Sequence, residues 1–286
     1  MPKQTIYVTS AADLSIKNSQ LQISFPDREV TFLRSIEDLG TLIIDHHSVH
    51  LTVPLLNRLA EQNVAVVFCN ETHTPTTMLM DLESNCMQTK HTRAQLEAGK
   101  SICKQIWKQI VEIKIRNQSA LLEKLGYGVD PLRRYHTQVK SGDSTNREGL
   151  AAKTYWQMLF GKQFIRDRIG TSPNNLLNYG YAILRSSVAR AIMDAGLLPM
   201  VGVFHRNYYN AFPLADDLME PFRPFIDEKV FALHHRGIMD IDLCVKKEIL
   251  EMFYQELSQN QISDTAHSLV RIFEKEGNVM CYPTLK

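Results

Sequence analysis

The sequence predicts an α+β protein, a small N-terminal β-rich domain followed by a larger all-α domain, on three observations. Short segments rich in Val, Ile, Thr and Phe with partial alternation fill the early chain. Long amphipathic runs replace them after the Thr72 to Asp81 region, and 286 residues exceed what one small core needs. The expected boundaries are 1–80 for the β-rich domain, 81–90 for a linker and 91–286 for the helical domain.

TIYVTS, LSI, LQISF, EVTFLR, TLIID and VAVVFC read as strands. Lys17-Asn18-Ser19 suits a hairpin turn between LSI and LQISF, and Pro26-Asp27 opens another turn. Val53, Leu55, Leu56, Leu59 and Ala60 recur near helical spacing, so one helix interrupts the strands until Asn63. Beyond the boundary, HTRAQLEAGKSICKQIWKQIVEIKIRNQSALLEKLG reads as one long helix with a break placed near Asn117. Its apolar positions Ile102, Ile106, Ile110 and Ile113 follow the helical period, and Lys100, Lys104 and Lys108 repeat on another face. Further helices are expected over STNREGLAAKTYWQMLFG, NLLNYGYAILRSSVARAIMDAG, about Pro213 to His235, CVKKEILEMFYQEL and SDTAHSLVRIFEKEG. There is no internal repeat and no low-complexity segment.

Hydrophobic residues at 44%, charged residues at 22% and a mean hydropathy of -0.20 argue against wholesale disorder and polytopic membrane insertion. Apolar stretches such as Val64 to Cys69 fall well short of the ~18–20 residues that cross a bilayer. The N-terminus shows no apolar segment followed by a small-residue cleavage site, so a cytoplasmic location is expected. Cys69, Cys86, Cys103, Cys244 and Cys281 are scattered and never form C-x-x-C, which argues against a disulfide framework or a cysteine zinc site. The net charge of +1 conceals an asymmetry. Residues 91–170 hold 15 Lys and Arg against 7 Asp and Glu, while the remainder is acidic. A basic middle suits a polyanion; a solvated helix face with its acids elsewhere explains the same count.

Three places concentrate groups able to hold a metal or move a proton. Asp45-His46-His47, with His50 nearby, follows the apolar strand TLII and resembles the Asp-His-His signature of a phosphoesterase superfamily. That superfamily also needs an upstream paired-aspartate motif, where this chain offers Asp13 and Asp27; a polar turn leaving a strand is the plain alternative. Glu148 fits the S/T-x-x-E capping box of Thr145-Asn146-Arg147-Glu148, which in isolation is the stronger reading, and a first-turn glutamate is also placed to hold a cation. His205 precedes Asp216, Asp217 and Glu220. Asp217 and Glu220 share a face if the segment is one helix, although Pro221 and Pro224 are expected to displace or kink it, and such acids also suit a helix dipole. An imidazole with carboxylates is a mixed N/O set that suits Mg²⁺ or Mn²⁺.

GVFHRNYYNAFPLADDLMEPFRPFID resembles the signature segment of the CRISPR-associated adaptation integrases, metal-dependent nucleases that insert new spacers into a CRISPR array. IEDLGTLIID, LLNRLAEQNVAVVFCNETHTP and NREGLAAKTYWQMLFG match the family pattern too, so the resemblance covers most of the chain, in a form similar to that of type II systems. It implies a metal site of Glu148, His205 and Glu220 with Asp217 as a supporting acid, although many members carry aspartate where Glu220 stands. It makes the helical part the catalytic and DNA-binding domain and Asp45-His46-His47 a decoy. The implied reaction is attack by the 3′-hydroxyl of incoming DNA on a repeat-border phosphodiester, with water as the nucleophile in hydrolysis. Double-stranded DNA, as prespacer and as repeat, is the implied partner. Lys100, Lys104, Lys108, Arg133, Arg134, Lys140, Arg147, Lys162, Arg166 and Arg168 are the expected phosphate contacts. Tyr155, Trp156, Tyr208 and Tyr209 either stack on bases or serve as core. The resemblance also implies a homodimer through the β-rich domain, a small second adaptation protein and, in type II systems, the RNA-guided effector nuclease. Two other readings stand beside it: a phosphoesterase using Asp45, His46 and His47, and a non-catalytic DNA-binding scaffold.

Overall fold

The computed structural model describes residues 4–71, 73, 75–79, 85–167, 169–255 and 257–285. The chain divides into two units, Met1–Cys86 and Met87–Lys286.

The N-terminal unit carries β1 (Gln4–Val8), β2 (Ala12–Lys17), β3 (Gln20–Phe25), β4 (Val30–Ser35), β5 (Leu39–Ile44), β6 (Val49–Leu51), α1 (Val53–Glu61), β7 (Ala65–Cys69) and β8 (Pro75–Leu79). They form two four-stranded sheets, ordered β1-β5-β7-β8 and β4-β3-β2-β6. β2, β3 and β4 make an antiparallel meander in which Lys17 faces Gln20 across a two-residue turn. Asn18 and Ser19 both have positive φ there, the twist that such a turn imposes. β1, β5 and β7 run parallel, with β8 antiparallel at the edge. Leu14, Leu21, Leu39, Leu42 and Val66 bury into one core with Leu55 and Leu59 of α1. Two strands were not expected from the sequence. β6 is too short to show alternation, and β8 opens on a proline, which an edge strand tolerates.

The second unit is helical: α2 (Gln88–Leu96), α3 (Lys100–Lys124), α4 (Asp130–Thr137), α5 (Arg147–Phe160), α6 (Asn174–Asp194), α7 (Pro213–Met219), α8 (Arg223–His235), α9 (Leu243–Gln255) and α10 (Gln259–Phe273). The expected linker over 81–90 is only partly irregular, since α2 already begins at Gln88; 81–84 lie outside the described residues. The long helix breaks before Gly99, which takes the extended N-cap position of α3, and not at Asn117. Asn117 stays inside the helix because crossing chain satisfies its amide: Nδ2 donates to Pro221 O (2.8 Å) and Pro283 O (3.2 Å). The segment after α10 is held against α3 and α10, with Gln109 Nε2 donating to Asn278 O and Thr265 Oγ1 donating to Cys281 O.

α6 and α8 pack closely at Gly180, where an added Cβ would lie 2.5 Å from Ile226 Cγ2. Gly180→Val is therefore expected to destabilise the protein by about 1–3 kcal/mol, read from the midpoint of urea unfolding. An unchanged midpoint would mean that Ile226 has room to move.

Candidate active site

Four segments of the helical unit bring charged groups together: the middle of α3, the start of α5, the loop before α7, and the turn between α7 and α8. Asp143 accepts backbone bonds from Arg147 N (2.8 Å) and Glu148 N (2.9 Å), while the Asn146 side chain accepts from Gly149 N. The expected Thr145–Glu148 capping box therefore does not form, because Asn146 is the N-cap and Asp143 already takes the end amides. Glu148 instead reaches across to α3, where Lys114 Nζ donates to its Oε1 at 2.5 Å.

Glu220 meets the same ammonium. The helix stops at Met219, and Glu220–Phe222 form a single 3-10 turn before α8 restarts at Arg223. This is the interruption that Pro221 and Pro224 lead one to expect, and it separates Asp217 from Glu220 in function. Glu220 is buried, with Oε2 at 2.6 Å from Lys114 Nζ and Oε1 at 3.0 Å from Arg223. Burial would raise its pKa, but the Arg223 and Lys114 charges outweigh that and hold the carboxyl below its ordinary range. For Lys114 burial opposes the charge, and the Glu220 and Glu148 carboxylates outweigh it and raise its pKa.

Asp217 points the other way. Its Oδ2 accepts from Val203 N (2.7 Å) and Phe204 N (3.0 Å), and its Oδ1 from His205 N (3.1 Å) and His205 Nδ1 (2.6 Å). One fully buried carboxylate thus shapes the loop and fixes the imidazole, and in a neutral ring that donates from Nδ1 the acceptor is Nε2. The bond to Asp217 raises the His205 pKa against its partial burial. Gly202 is needed there, since a Cβ would lie 2.5 Å from His205 O. Trp107 on α3 stacks on Phe204 at 4.1 Å and meets the His205 ring edge-on at 5.7 Å. Asp216 is taken by Arg185 at 2.6 Å.

Behind Glu220, the Arg223 guanidinium lies 4.7 Å over the Tyr181 ring, and Arg166 lies 5.1 Å from it. Tyr155 and Tyr181 both donate their hydroxyls to the buried Asp227, whose carboxyl burial pushes up to about 7. Tyr155 is thus core, and Trp156 packs on Phe160 and Phe164, whereas Tyr208 and Tyr209 are fully exposed. Two clefts flank His205. One of about 740 Å³ is lined by Arg166, Arg185, Arg223 and Tyr209; one of about 500 Å³ holds Cys103, Arg206 and Tyr208.

Among the described residues, no three His, Cys, Asp or Glu side chains already stand as a metal cluster. The sequence expectation brought Glu148, His205 and Glu220 together without an intermediary; here the two glutamates converge on Lys114, and His205 is turned by Asp217. Lys114 was missed, although its place in the apolar stripe of Ile110, Val111 and Ile115 was a visible signal. Asp45 is buried, takes the Tyr7 hydroxyl and accepts from His73 Nδ1 at 2.8 Å; His46 stacks on His47, and His50 pairs with Asp13. These contacts tie Asp45 and His50 to different partners, as a polar structural turn does.

The expected phosphate contacts differ in freedom. Lys100, Lys104, Arg134, Lys140 and Lys162 are exposed. Lys108 pairs with Glu112, Arg133 with Glu123, and Arg147 is half-buried. Arg166 is fixed by Asn174 (3.0 Å) and Asn178 (2.7 Å); Arg168 lies outside the described residues. Arg185, Arg206 and Arg223 lie outside the basic segment and were missed, because only the fold carries them to the clefts.

A family model described as CRISPR associated protein Cas1 matches residues 6–262. The chain belongs to the Cas1 family. A relative from Neisseria meningitidis serogroup C, named CRISPR-associated endonuclease Cas1, is 34% identical over 262 residues, covering 90% of this chain and 85% of its own. A Pyrobaculum aerophilum Cas1 endonuclease is 30% identical over 73% of this chain and 75% of its own. Among solved structures, a casposase bound to integration product superposes with a TM-score of 0.80 at 22% identity, covering 100% of this chain and 95% of that one. The Thermotoga maritima Cas1 gives 0.75 at 18% identity, over 99% and 100%. The β-rich start and helical remainder are therefore the fold of Cas1, as the sequence predicted. No described helix is long and apolar enough to cross a membrane.

Proposed function

We propose that this Cas1-family chain is a metal-dependent DNA endonuclease and integrase of CRISPR adaptation, acting in the cytoplasm. The reaction inserts spacer DNA through attack of a 3′-hydroxyl on a repeat-border phosphodiester. The observation that carries the reading is the convergence of Glu148 and Glu220 on one cationic atom, with the His205 imidazole near enough for the Glu220 charge to help raise its pKa.

The donor set fits Mg²⁺ or Mn²⁺. Two carboxylates and one neutral nitrogen are hard and borderline ligands, and the buried Glu220 Oε2 accepts no aligned hydrogen bond among the described residues. Glu148, Glu220 and His205 Nε2 would hold the ion, with Asp217 behind His205. Bound there, the ion supplies charge neutralisation at the phosphate and orientation of the attacking oxygen. Asp217 fixes the imidazole, and Arg166, Arg185 and Arg223 line the adjoining cleft with Asp216, which offsets part of their charge and leaves the lining net positive toward a phosphodiester backbone. The exposed Lys100, Lys104, Arg134, Lys140 and Lys162 extend that attraction along duplex DNA.

Residues 1–80 serve as dimerisation domain and 91–286 as catalytic domain in this reading. The partners are a second copy of the chain, a small second adaptation protein and the RNA-guided effector nuclease; a Cas1-containing chain of similar fold was solved in a Cas6-RT-Cas1–Cas2 complex.

Crystals soaked in MnCl₂ test the metal reading. An anomalous peak about 2.1 Å from a Glu148 and a Glu220 oxygen is expected, and peaks found only elsewhere would overturn it.

A further inference from the structure

Resting on that proposed metal site, we propose that Lys114 is its resident placeholder cation, holding the Glu148 and Glu220 carboxylates together until a divalent ion takes the same place. Three observations converge. Lys114 Nζ lies 2.5 Å from Glu148 Oε1 and 2.6 Å from Glu220 Oε2, so one atom bridges side chains from two segments 72 positions apart in the chain. The lysine is buried on the core stripe of α3, where a charge is retained only when it is paired. Arg223 pairs with the other Glu220 oxygen, and among the described residues Lys114 is the cation that meets both carboxylates.

An ammonium and a divalent ion compete for the same oxygens. Both cannot stand between Glu148 Oε1 and Glu220 Oε2, because like charges at that separation repel strongly. The flexible four-carbon stem of lysine lets the head swing away as the ion enters, which an arginine fork in this position would not do as readily. The arrangement keeps the metal-free protein folded around a preformed pair of ligands, and it lowers the affinity for the ion by whatever the lysine contacts contribute.

The test uses the full-length protein as wild type, Lys114→Met and Lys114→Gln, with MnCl₂ as the probe. Without metal, the melting temperature of Lys114→Met is expected to fall by about 5–15 °C, as for breaking a buried pair. Saturating Mn²⁺ should remove most of that deficit. Calorimetric titration should show Mn²⁺ binding about tenfold tighter than in wild type, the order set by one charge-assisted hydrogen bond. Lys114→Gln, which fills the space without the charge, should show the same tightening if Lys114→Met does not fold. Unchanged metal-free melting or weaker Mn²⁺ binding in the variants beside normal wild-type binding would overturn the placeholder alone. No Mn²⁺ binding by any of the three proteins would overturn the metal reading and the placeholder with it.

Discussion

Glu148→Gln and Glu220→Gln are each expected to lower metal-dependent strand transfer by at least about 10³-fold, the scale of losing a group that stabilises developing charge. Retention of the DNA substrate in a metal-free gel shift should change by less than about threefold. Glutamine keeps the length and one acceptor oxygen of each side chain, so at position 220 one of Lys114 and Arg223 keeps its partner while the amide NH₂ faces the other, and the charge that draws a divalent cation is halved. The double variant should be no worse than about tenfold beyond either single one, because residues that act as a unit lose their effect together. Asp217→Asn belongs to a milder class. It disturbs the bond to His205 Nδ1 rather than a ligand, and about 10–100-fold is expected. Strand transfer that survives Glu220→Gln at near wild-type rate would show that Glu220 serves Arg223 and Lys114 structurally and holds no ion.

Much of this arrangement is legible in the sequence because it is written in local patterns. Alternation gave the meander of β2, β3 and β4, the helical period gave α5, α6 and α10, and the His205 to Glu220 segment carries a long, unusual motif. What stayed hidden depends on contacts between distant positions. Glu148 reads as a capping-box glutamate until Asp143 takes the Glu148 amide that the Thr145 hydroxyl would otherwise cap. Asn117 reads as a helix breaker until chain more than a hundred positions away supplies its partners. Lys114 reads as one more lysine on a basic helix, and only its register with Ile110 and Val111 separates it from the exposed face of Lys100 and Lys104. The parallel pairing of β1, β5 and β7 is likewise a long-range choice that strand composition does not encode.

Between about pH 4 and pH 7 the wild-type protein is expected to lose stability that the Asp227→Asn protein keeps. The Asp227 carboxyl titrates near 3.9 in an unfolded chain and is pushed up to about 7 in the fold. Burial is the first cause, opposed by the Tyr181 and Tyr155 hydroxyls and by the Arg223 and Arg166 charges. The folded state therefore binds more protons than the unfolded state across that window, and stability falls as pH rises through it. A separation of roughly three units sets an upper bound of about 4 kcal/mol on the loss, complete just above pH 7. His205 and Asp217, whose pKa values are also raised, titrate in both proteins and cancel in the comparison. Asparagine keeps one acceptor for the tyrosine hydroxyls, so the variant is expected to differ by a constant offset of about 1 kcal/mol as well as in slope. The slope decides. Urea unfolding from pH 4.5 to 8 giving parallel curves would mean that Asp227 ionises normally in the fold. Diverging curves would place a proton-linked group behind the candidate active site, since Tyr181 carries Arg223 on its face and Arg223 holds Glu220.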